Sequence, residues 1–263
     1  MEREAYIFWE NVARKVGKEY PAEGAPLLTK DKGWAILRDE MEKKHLMRVI
    51  RIDKDMEVLD LGCGTGRWSF EFAKRCKKVL AVDFSPTFIS IAKEQAFKEG
   101  VENVTFLCQP ITKFSYLEKQ RFDIIHLGSV LQYLDDSSVN LLIDKLNSHL
   151  KEKGMIVTRE TISLGDRLYG GENYPCIYRV EEEFLEMFKR KGLELIYSHF
   201  SLPPLSKFFV KIRLIFGRSI DFLVNLHFKL SCFESIYKFV ARLVGKRKVQ
   251  KFYVFRRRSD SPS

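Results

Sequence analysis

Three glycines spaced two residues apart follow a short apolar run in the sequence VLDLGCGTGRW at residues 58–68. Gly62, Gly64 and Gly66 allow a tight bend and a close approach of the main chain to a ligand. The helix predicted after them presents free N–H groups to a negatively charged or polar ligand. Asp83, 21 residues beyond Gly62, stands where a carboxylate can accept both hydroxyls of a ribose. These residues therefore predict a site for a ligand with a nucleotide end.

The spacing of the glycines distinguishes two classes of nucleotide site. The dinucleotide fingerprint G-x-G-x-x-G requires a third glycine at position 67, where this chain has Arg67. The pattern present is G-x-G-x-G, with Asp60 two residues before the first glycine. Asp83 has an alternative interpretation as a helix cap, because the sequence DFSP also opens a helix. Its register with the glycines favours the ribose interpretation.

Alternating strand and helix signals surround this motif. Continuous apolar runs predict buried strands, and a periodicity of three to four residues predicts the helices between them. The strands are EVLDLG, KVLAVD, VTFLC, FDIIHLG and GMIVTRE, and the helices are RWSFEFAKRC, SPTFISIAKEQAFKEG and SVNLLIDKLNSHLKEKG. This order predicts an α/β fold with a doubly wound parallel sheet. The ligand of such a sheet lies beyond the carboxyl ends of its strands, where the glycines are.

The composition fits one domain in a reducing compartment. With 263 residues, 45% of them hydrophobic and 30% charged, the chain can bury one large core. Its five cysteines include no C-x-x-C pair, so we expect neither a disulfide framework nor a metal site. The start, MEREAYIFWE, lacks the apolar run of a signal peptide, and no uncharged apolar stretch of about 18 residues occurs. We expect a cytoplasmic protein, with peripheral attachment to a membrane as the alternative.

Five motifs in order resemble those of the class I S-adenosylmethionine-dependent methyltransferases, over about residues 46–200. They are VLDLGCGTG, VLAVDFSPTFISIAK, FDIIHLGSVLQYLDD, LKEKGMIVTRE and YRVEEEFLEMFKRKGLEL. The resemblance implies a Rossmann-like sheet of seven mostly parallel strands, whose last strand, KFYVFRRR, is antiparallel. It implies S-adenosylmethionine as the cofactor and S-adenosylhomocysteine as the product. The implied cofactor contacts are Asp60, Gly62, Gly64, Gly66, Arg67, Asp83, Phe84 and Gly128.

The adenine end of the cofactor has a different expected binding mode. Many members of the family place an acidic residue after the third strand, but FLCQPITKF has Pro110 at the corresponding position. The segment is similar to a variant in protein amino-terminal methyltransferases, which hold adenine by a backbone amide and a polar side chain. By that likeness Ile111 offers its N–H group and Thr112 offers its hydroxyl.

Methyl transfer from a sulfonium needs few catalytic residues, because the cofactor carries the leaving group. The enzyme aligns a nucleophile and removes its proton where there is one to lose. Glu160 is the expected general base, because burial beside an apolar pocket raises the pKa of a carboxylate toward neutral pH. Tyr133 is the second expected catalytic residue, and Asp135 is a neighbouring candidate. The alternative for Glu160 is a structural pairing with Arg159 or a nearby loop, while His126 is expected to face packed helices.

Aromatic residues outside these motifs have two interpretations each. The loop DRLYGGENYPCIYR contains Tyr169, Tyr174 and Tyr178, which either wall the acceptor pocket, bind a cationic amine by cation–π contact, or pack structurally. Three more aromatic residues either close over the cofactor as a lid or anchor the core; they are Trp9, Tyr20 and Trp34. We therefore divide the single domain, residues 1–263, into a helical lid (1–45), a Rossmann-like core (46–200 and 249–258) and an insertion (201–248).

The basic excess of the chain lies in its last fifth. The net charge is +10, and residues 202–258 alone hold 14 Lys or Arg against two acidic residues. Apolar residues of the insertion recur every three or four positions and predict a helical stripe: Phe222, Leu226, Leu230, Phe233, Tyr237, Val240 and Val244. The stripe either packs on its own domain, caps the acceptor or lies on an anionic membrane surface. Nucleic acid is a less favoured partner, because phenylalanines outnumber the polar residues that read bases.

The sequence thus predicts a methyltransferase that acts on an oxygen or nitrogen atom of a small-molecule or lipid-linked acceptor. The alternatives are a protein or RNA methyltransferase, or a catalytically inactive partner subunit that binds the cofactor. Neither the identity of the acceptor nor the oligomeric state follows from the sequence.

Overall fold

Two amino-terminal helices precede the core. In a computed structural model of the chain, α1 spans Glu2–Glu19 and α2 spans Lys32–Val49. The described residues are 2–19, 32–113, 120–171, 174–201, 234–243 and 245–258. Tyr20 and residues 202–233 of the insertion therefore lie outside the description.

Strands and helices alternate through the core in the order that the apolar pattern predicts. The first half contains β1 Glu57–Leu61, α3 Arg67–Ala73, β2 Lys78–Asp83, α4 Pro86–Glu99, β3 Val104–Cys108 and β4 Phe122–Gly128. The second half contains a 3-10 turn Leu131–Tyr133, α5 Asp136–Ser148, β5 Leu150–Ser163, β6 Leu168–Gly171, β7 Tyr174–Tyr178, α6 Glu181–Lys189, β8 Leu193–Phe200, α7 Glu234–Leu243 and β9 Lys248–Arg257. The sequence predicts only a loop in the region of β6 and β7, where the structure has a β-hairpin.

The main sheet has seven strands in the order β3-β2-β1-β4-β5-β9-β8. The pairs from β3 to β5 are parallel, and β9 runs antiparallel to both β5 and β8. The strand order reverses between β1 and β4, the point where doubly wound sheets bind ligands. The predicted α/β fold with an antiparallel last strand is confirmed.

Helices cover both faces of this sheet, so its central strands are buried on both sides. Leu59 and Ile125 belong to the core shared with α5 and α6. The neighbouring Val58 and Ile124 belong to the core shared with α2, α3 and α4. Successive side chains of a strand point to opposite faces, which is why these strands read as continuous apolar runs. What remains open to a ligand is the carboxyl edge of the sheet.

α7 is the described helix of the predicted insertion. Tyr237 is buried and stacks on Phe200 of β8, with ring centroids 3.4 Å apart, and Ala241 is buried beside the same core. Tyr237 belongs to the predicted apolar stripe, so in this helix the stripe packs on its own domain. The stripe positions 222–233 and 244 lie outside the described residues. None of the helices within the described ranges is long and apolar enough to cross a membrane.

Candidate active site

The turn between β1 and α3 is left-handed at all three motif glycines, with φ of 70°, 55° and 87° at Gly62, Gly64 and Gly66. Side chains rarely adopt this conformation. A Cβ atom on Gly62 would lie 2.4 Å from Cγ2 of Val130, and one on Gly66 would lie 2.7 Å from the ring of Phe70. At Gly64 no described atom comes within 4 Å of the added Cβ. Packing thus explains two of the glycines, and the third leaves its surroundings open to a ligand.

Asp83 ends β2 directly beside this turn. Its Oδ2 atom accepts a hydrogen bond from the N–H group of Gly64 at 2.9 Å, and its Oδ1 atom accepts one from Ser85 at 2.9 Å. Burial, together with the negative charge of Asp60, raises the pKa of the Asp83 carboxyl to about 6. The N-cap of α4 is Ser85, whose Oγ accepts from the N–H group of Phe88. Asp83 is therefore not the helix cap, which removes the alternative interpretation of this carboxylate.

Asp60 and Arg67 make contacts inside the protein. The Asp60 carboxylate accepts a hydrogen bond from Ser69 Oγ at 2.6 Å and contacts Nδ1 of His126 at 2.8 Å. The Arg67 side chain forms ion pairs with Asp39 and Glu42 of α2. These contacts give both side chains structural roles, and the cofactor contacts expected for them stay predictions. His126 is buried and faces α3, as expected for a mid-strand residue.

A buried cluster of three arginines around Glu42 attaches α2 to the sheet. The Glu42 carboxylate contacts Arg67 at 2.6 Å, Arg159 of β5 at 2.8 Å and Arg38 at 3.0 Å. Burial alone raises the pKa of Glu42, but the guanidiniums, Arg159 foremost, hold it well below its usual range. Sequence reasoning missed this cluster, because Arg67 and Arg159 lie 25 and 117 residues away from Glu42.

The segment after β4 forms the opposite wall of the site. It begins at Gly128, where an added Cβ would lie 3.1 Å from the ring of His126, and continues through the 3-10 turn to Tyr133. Glu160 of β5 is buried beneath this turn, and its Oε1 atom accepts hydrogen bonds from the N–H groups of Val130 at 3.0 Å and Leu131 at 3.1 Å. Burial raises the pKa of Glu160 to about 7. The observed pairing is thus with a nearby loop, which is the structural alternative for this residue.

The amino-terminal helix α1 lies across the edge of the sheet. Trp9 packs edge-to-face on Tyr133, with ring centroids 5.7 Å apart, and Tyr6 lies 5.5 Å from the ring of Phe84. The carboxylate of Glu10 accepts hydrogen bonds from Ser85 Oγ at 2.6 Å and from Thr87 Oγ1. The helix therefore joins the segment after β2 to the segment after β4. This placement fits the lid predicted for Trp9, whereas the side chain of Trp34 is not among those described.

The predicted adenine contacts follow β3 at the same edge. Ile111 is buried and Thr112 is half-buried, and Gln109 donates its N–H group to the carbonyl of Asp83 at 2.8 Å. This hydrogen bond holds the two segments side by side. The roles of Ile111 and Thr112 stay predictions.

The remaining candidates divide between packing and surface. Tyr178 is buried, with the Lys248 ammonium 4.1 Å from its ring centre, whereas Tyr169 is 71% exposed. Tyr174 begins β7, but its side chain is not among those described. Asp135 is the N-cap of α5 and accepts from the N–H group of Ser138 at 2.8 Å. Among the side chains in the described ranges, no group of three His, Cys, Asp or Glu could hold a metal ion.

Comparisons with known proteins point to one family. Residues 58–154 match a family model described as a methyltransferase domain. The chain is 32% identical over 188 residues to phosphoethanolamine N-methyltransferase 1 of Triticum aestivum, covering 70% of this chain and 37% of that protein. It is 27% identical over 172 residues to demethylmenaquinone methyltransferase of Staphylococcus aureus strain MRSA252, covering 64% of this chain and 61% of that protein. The chain thus spans little more than a third of the length of the wheat relative.

The fold also matches solved structures. Phosphoethanolamine N-methyltransferase 1 of Haemonchus contortus, in complex with phosphoethanolamine and S-adenosylhomocysteine, superposes with a TM-score of 0.62 at 14% identity. The match covers 98% of this chain and 50% of that one. The predicted resemblance to the class I family is confirmed.

Proposed function

We propose that this chain, whose residues 58–154 match a family model described as a methyltransferase domain, uses S-adenosylmethionine to transfer a methyl group to an oxygen or nitrogen atom of a small-molecule or lipid-linked acceptor. The observation that carries the proposal is the pairing of Asp83 with the glycine turn. The carboxylate lies 2.9 Å from the Gly64 N–H group, beside the one motif glycine whose added Cβ meets no described atom. A ribose fits this arrangement, since its hydroxyls hydrogen-bond well to a buried carboxylate.

The residues around the turn fit the rest of the cofactor. Ile111 and Thr112 follow the neighbouring strand and would hold the adenine, while Phe84 would lie beside the ribose. When bound, S-adenosylmethionine supplies an activated methyl group together with its leaving group. The chain itself must then orient the acceptor and exclude water. Trp9 and Tyr133, in contact with each other, form an aromatic wall suited to that task.

Calorimetry with S-adenosylhomocysteine tests the cofactor site. We expect binding of S-adenosylhomocysteine and no heat from NAD or NADP. The Asp83→Ala variant should lose about 1.5–3 kcal/mol of binding free energy for each charge-assisted hydrogen bond removed. Asp55→Ala, at an exposed carboxylate, is the matched control and should bind as the wild type does. Equal affinity of folded Asp83→Ala and wild-type protein would show that the site lies elsewhere.

Transfer of a radiolabelled methyl group tests the acceptor class. The relatives are named for phosphoethanolamine and demethylmenaquinone, so both compounds belong in the panel, together with lipid extracts. A protein extract and tRNA test the alternative of a macromolecular acceptor. Binding of S-adenosylhomocysteine without transfer to any member of the panel would favour a catalytically inactive partner subunit.

Peripheral attachment to an anionic membrane surface is the second part of the proposal, and it favours a lipid-linked acceptor. Ile236, Phe239 and Leu243 of α7 are 43%, 63% and 69% exposed, and their spacing places them on one face of the helix. The exposed sequence Lys-Arg-Lys at residues 246–248 follows directly. Large apolar side chains beside basic ones are typical of interfacial helices. A second copy of the chain fits poorly, because a two-fold contact would bring this basic segment against itself.

Sedimentation with lipid vesicles tests the membrane surface. We expect binding to vesicles that contain anionic lipid, release as the salt concentration rises, and little binding to neutral vesicles. Replacing Phe239 and Leu243 by Ser should weaken binding, whereas Leu141→Ser, at an exposed leucine of α5, should not. Displacement from vesicles by excess tRNA would favour nucleic acid as the partner. Absence of binding at low salt would leave the cytoplasm as the location of the protein.

A further inference from the structure

The 3-10 turn after β4 lies between the glycine turn and α1. Val130, which precedes it, occupies the space that a side chain on Gly62 would need, and Tyr133 at its end contacts Trp9. The turn therefore determines where both the glycine turn and the aromatic wall lie. A helical turn of three residues has too few hydrogen bonds to be stable alone, so other groups must hold it in place.

Glu160 holds the amino-terminal end of the turn. Its Oε1 atom accepts both N–H groups at that end, from Val130 at 3.0 Å and from Leu131 at 3.1 Å. The residue is only 2% exposed. An oxygen shared between two main-chain donors is directed toward the turn, whereas a general base must direct an oxygen toward the acceptor.

Arg179, at the end of the β6–β7 hairpin, holds the carboxyl-terminal end. Its Nη1 atom donates to the carbonyl of Leu131 at 2.9 Å, and its Nη2 atom donates to the carbonyl of Leu134 at 2.7 Å. Its Nε atom donates to Asp136 at 2.8 Å, which fixes the plane of the guanidinium. Arg179 is 3% exposed along its side chain. All three contacts use the fork of donors that arginine has and lysine lacks.

We propose that Glu160 and Arg179 are a pair of positioning residues, which hold the turn carrying Tyr133 from its two ends, and that Glu160 acts through this turn and not as the general base. The inference rests on the proposed methyl transfer, because it explains how the aromatic wall beside the acceptor is held in place. The carboxylate accepts the N–H groups of Val130 and Leu131, and the guanidinium donates to the carbonyls of Leu131 and Leu134. Each member thus matches the partial charge at its end of the turn.

Charged groups surround Glu160 on several elements. Burial raises the pKa of Glu160 to about 7, although the positive charges of Arg179 and Arg159 act to lower it. Lys251 of β9 lies opposite Glu160 in the strand register and pairs with Glu181 of α6. The hydrogen bonds from Val130 and Leu131 should therefore respond to pH near neutrality, which supplies a readout that needs no acceptor.

Amide NMR spectroscopy of wild-type protein and variants tests the pair. In the wild type, the amide resonances of Val130 and Leu131 should shift with a midpoint near pH 7. In Glu160→Gln, which keeps an accepting oxygen without a titratable proton, these amides should not titrate and should stay protected from hydrogen exchange. In Glu160→Ala, which removes the acceptor, their exchange should become about tenfold faster or more. Unchanged exchange of the Val130 and Leu131 amides in Glu160→Ala would overturn the assignment.

Arg179→Lys tests the other end of the turn. Lysine cannot donate to two carbonyls and a carboxylate in one plane. The N–H groups of Tyr133 and Leu134, which donate to the carbonyls of Val130 and Leu131, should therefore exchange faster in this variant. Arg190→Lys is the matched control, because Arg190, at the exposed end of α6, donates to the Glu186 carboxylate one turn earlier at 3.1 Å. Unchanged exchange of the turn in Arg179→Lys would contradict its role.

Methyl transfer separates a positioning role from a catalytic one. For an acceptor identified in the panel above, Glu160→Gln should keep most of the wild-type kcat, while Glu160→Ala and Arg179→Lys should lower kcat with little change in the affinity for S-adenosylhomocysteine. A fall of about 10²-fold or more in Glu160→Gln, with the turn still protected, would make Glu160 the base and refute the proposal. If no acceptor is found, the amide exchange of Glu160→Ala and Arg179→Lys still decides whether the two residues hold the turn, so failure of the proposed function and failure of this inference remain distinguishable.

Discussion

The raised pKa of Asp83 predicts a measurable cost in stability. Burial, with the charge of Asp60, raises this pKa from 3.8 to about 6, so the folded protein binds the proton more tightly than the unfolded chain does. The free energy of unfolding must then fall as the pH rises from about 4 to about 6. The full deficit, about 3 kcal/mol, is present above about pH 6. Asn cannot ionise, so the Asp83→Asn variant avoids this deficit.

Chemical denaturation of wild-type protein and Asp83→Asn between about pH 4 and about pH 8 measures the effect. The variant also loses a charge-assisted hydrogen bond. This loss adds a constant to the difference in unfolding free energy between the two proteins, so it does not affect how that difference changes with pH. This difference should rise by about 3 kcal/mol in favour of the variant between about pH 4 and about pH 7. Asp55→Asn, at an exposed carboxylate, should give a flat difference. Parallel curves for Asp83→Asn and wild type would refute the reasoning.

Three further perturbations follow from the same structure. Gly62→Ala and Gly100→Ala both place a side chain at positive φ, at a cost of about 1–2 kcal/mol. Only Gly62→Ala adds a clash with Val130, so chemical denaturation should show that Gly62→Ala is the less stable variant. Burial lowers the pKa of His45 to about 4, so its neutral form contributes stability that is lost as the pH falls from about 6.5 to about 4. Replacing His45 by Phe should flatten the dependence of the melting temperature on pH in that range. Glu42→Gln leaves the buried Arg159 guanidinium without its counter-charge and should cost about 3–5 kcal/mol in unfolding free energy; a loss below about 1 kcal/mol would show that water reaches the cluster.

Local signals in the sequence were enough for the fold and for the placement of the glycine turn beside Asp83. The order of strands and helices follows from apolar periodicity, which depends on neighbours a few residues away. The glycine turn is equally local, because positive φ at Gly62, Gly64 and Gly66 demands glycine whatever surrounds it. The position of Asp83 follows from the length of one strand-helix-strand unit. Each of these features is determined within about 25 residues of chain.

The acceptor half of the site was decided by tertiary structure. Glu160 looked like a base because a carboxylate at a strand end is buried, but its partners are the N–H groups of a turn about 30 residues earlier in the chain. Arg179 carried no sequence signal, since its hydrogen bonds reach carbonyls 45 and 48 residues away.

The contacts of Asp60 and Arg67 within the protein were likewise decided by packing. Both lie in the predicted cofactor motif, yet their side chains contact His126 and Glu42 on other elements. The hydrogen-bond partner of a polar side chain depends on which elements the fold brings together, and that information is spread over distant parts of the chain. Residue type and spacing therefore predicted where charged groups would stand along the chain, and only the packed structure determined which groups each of them contacts within the protein.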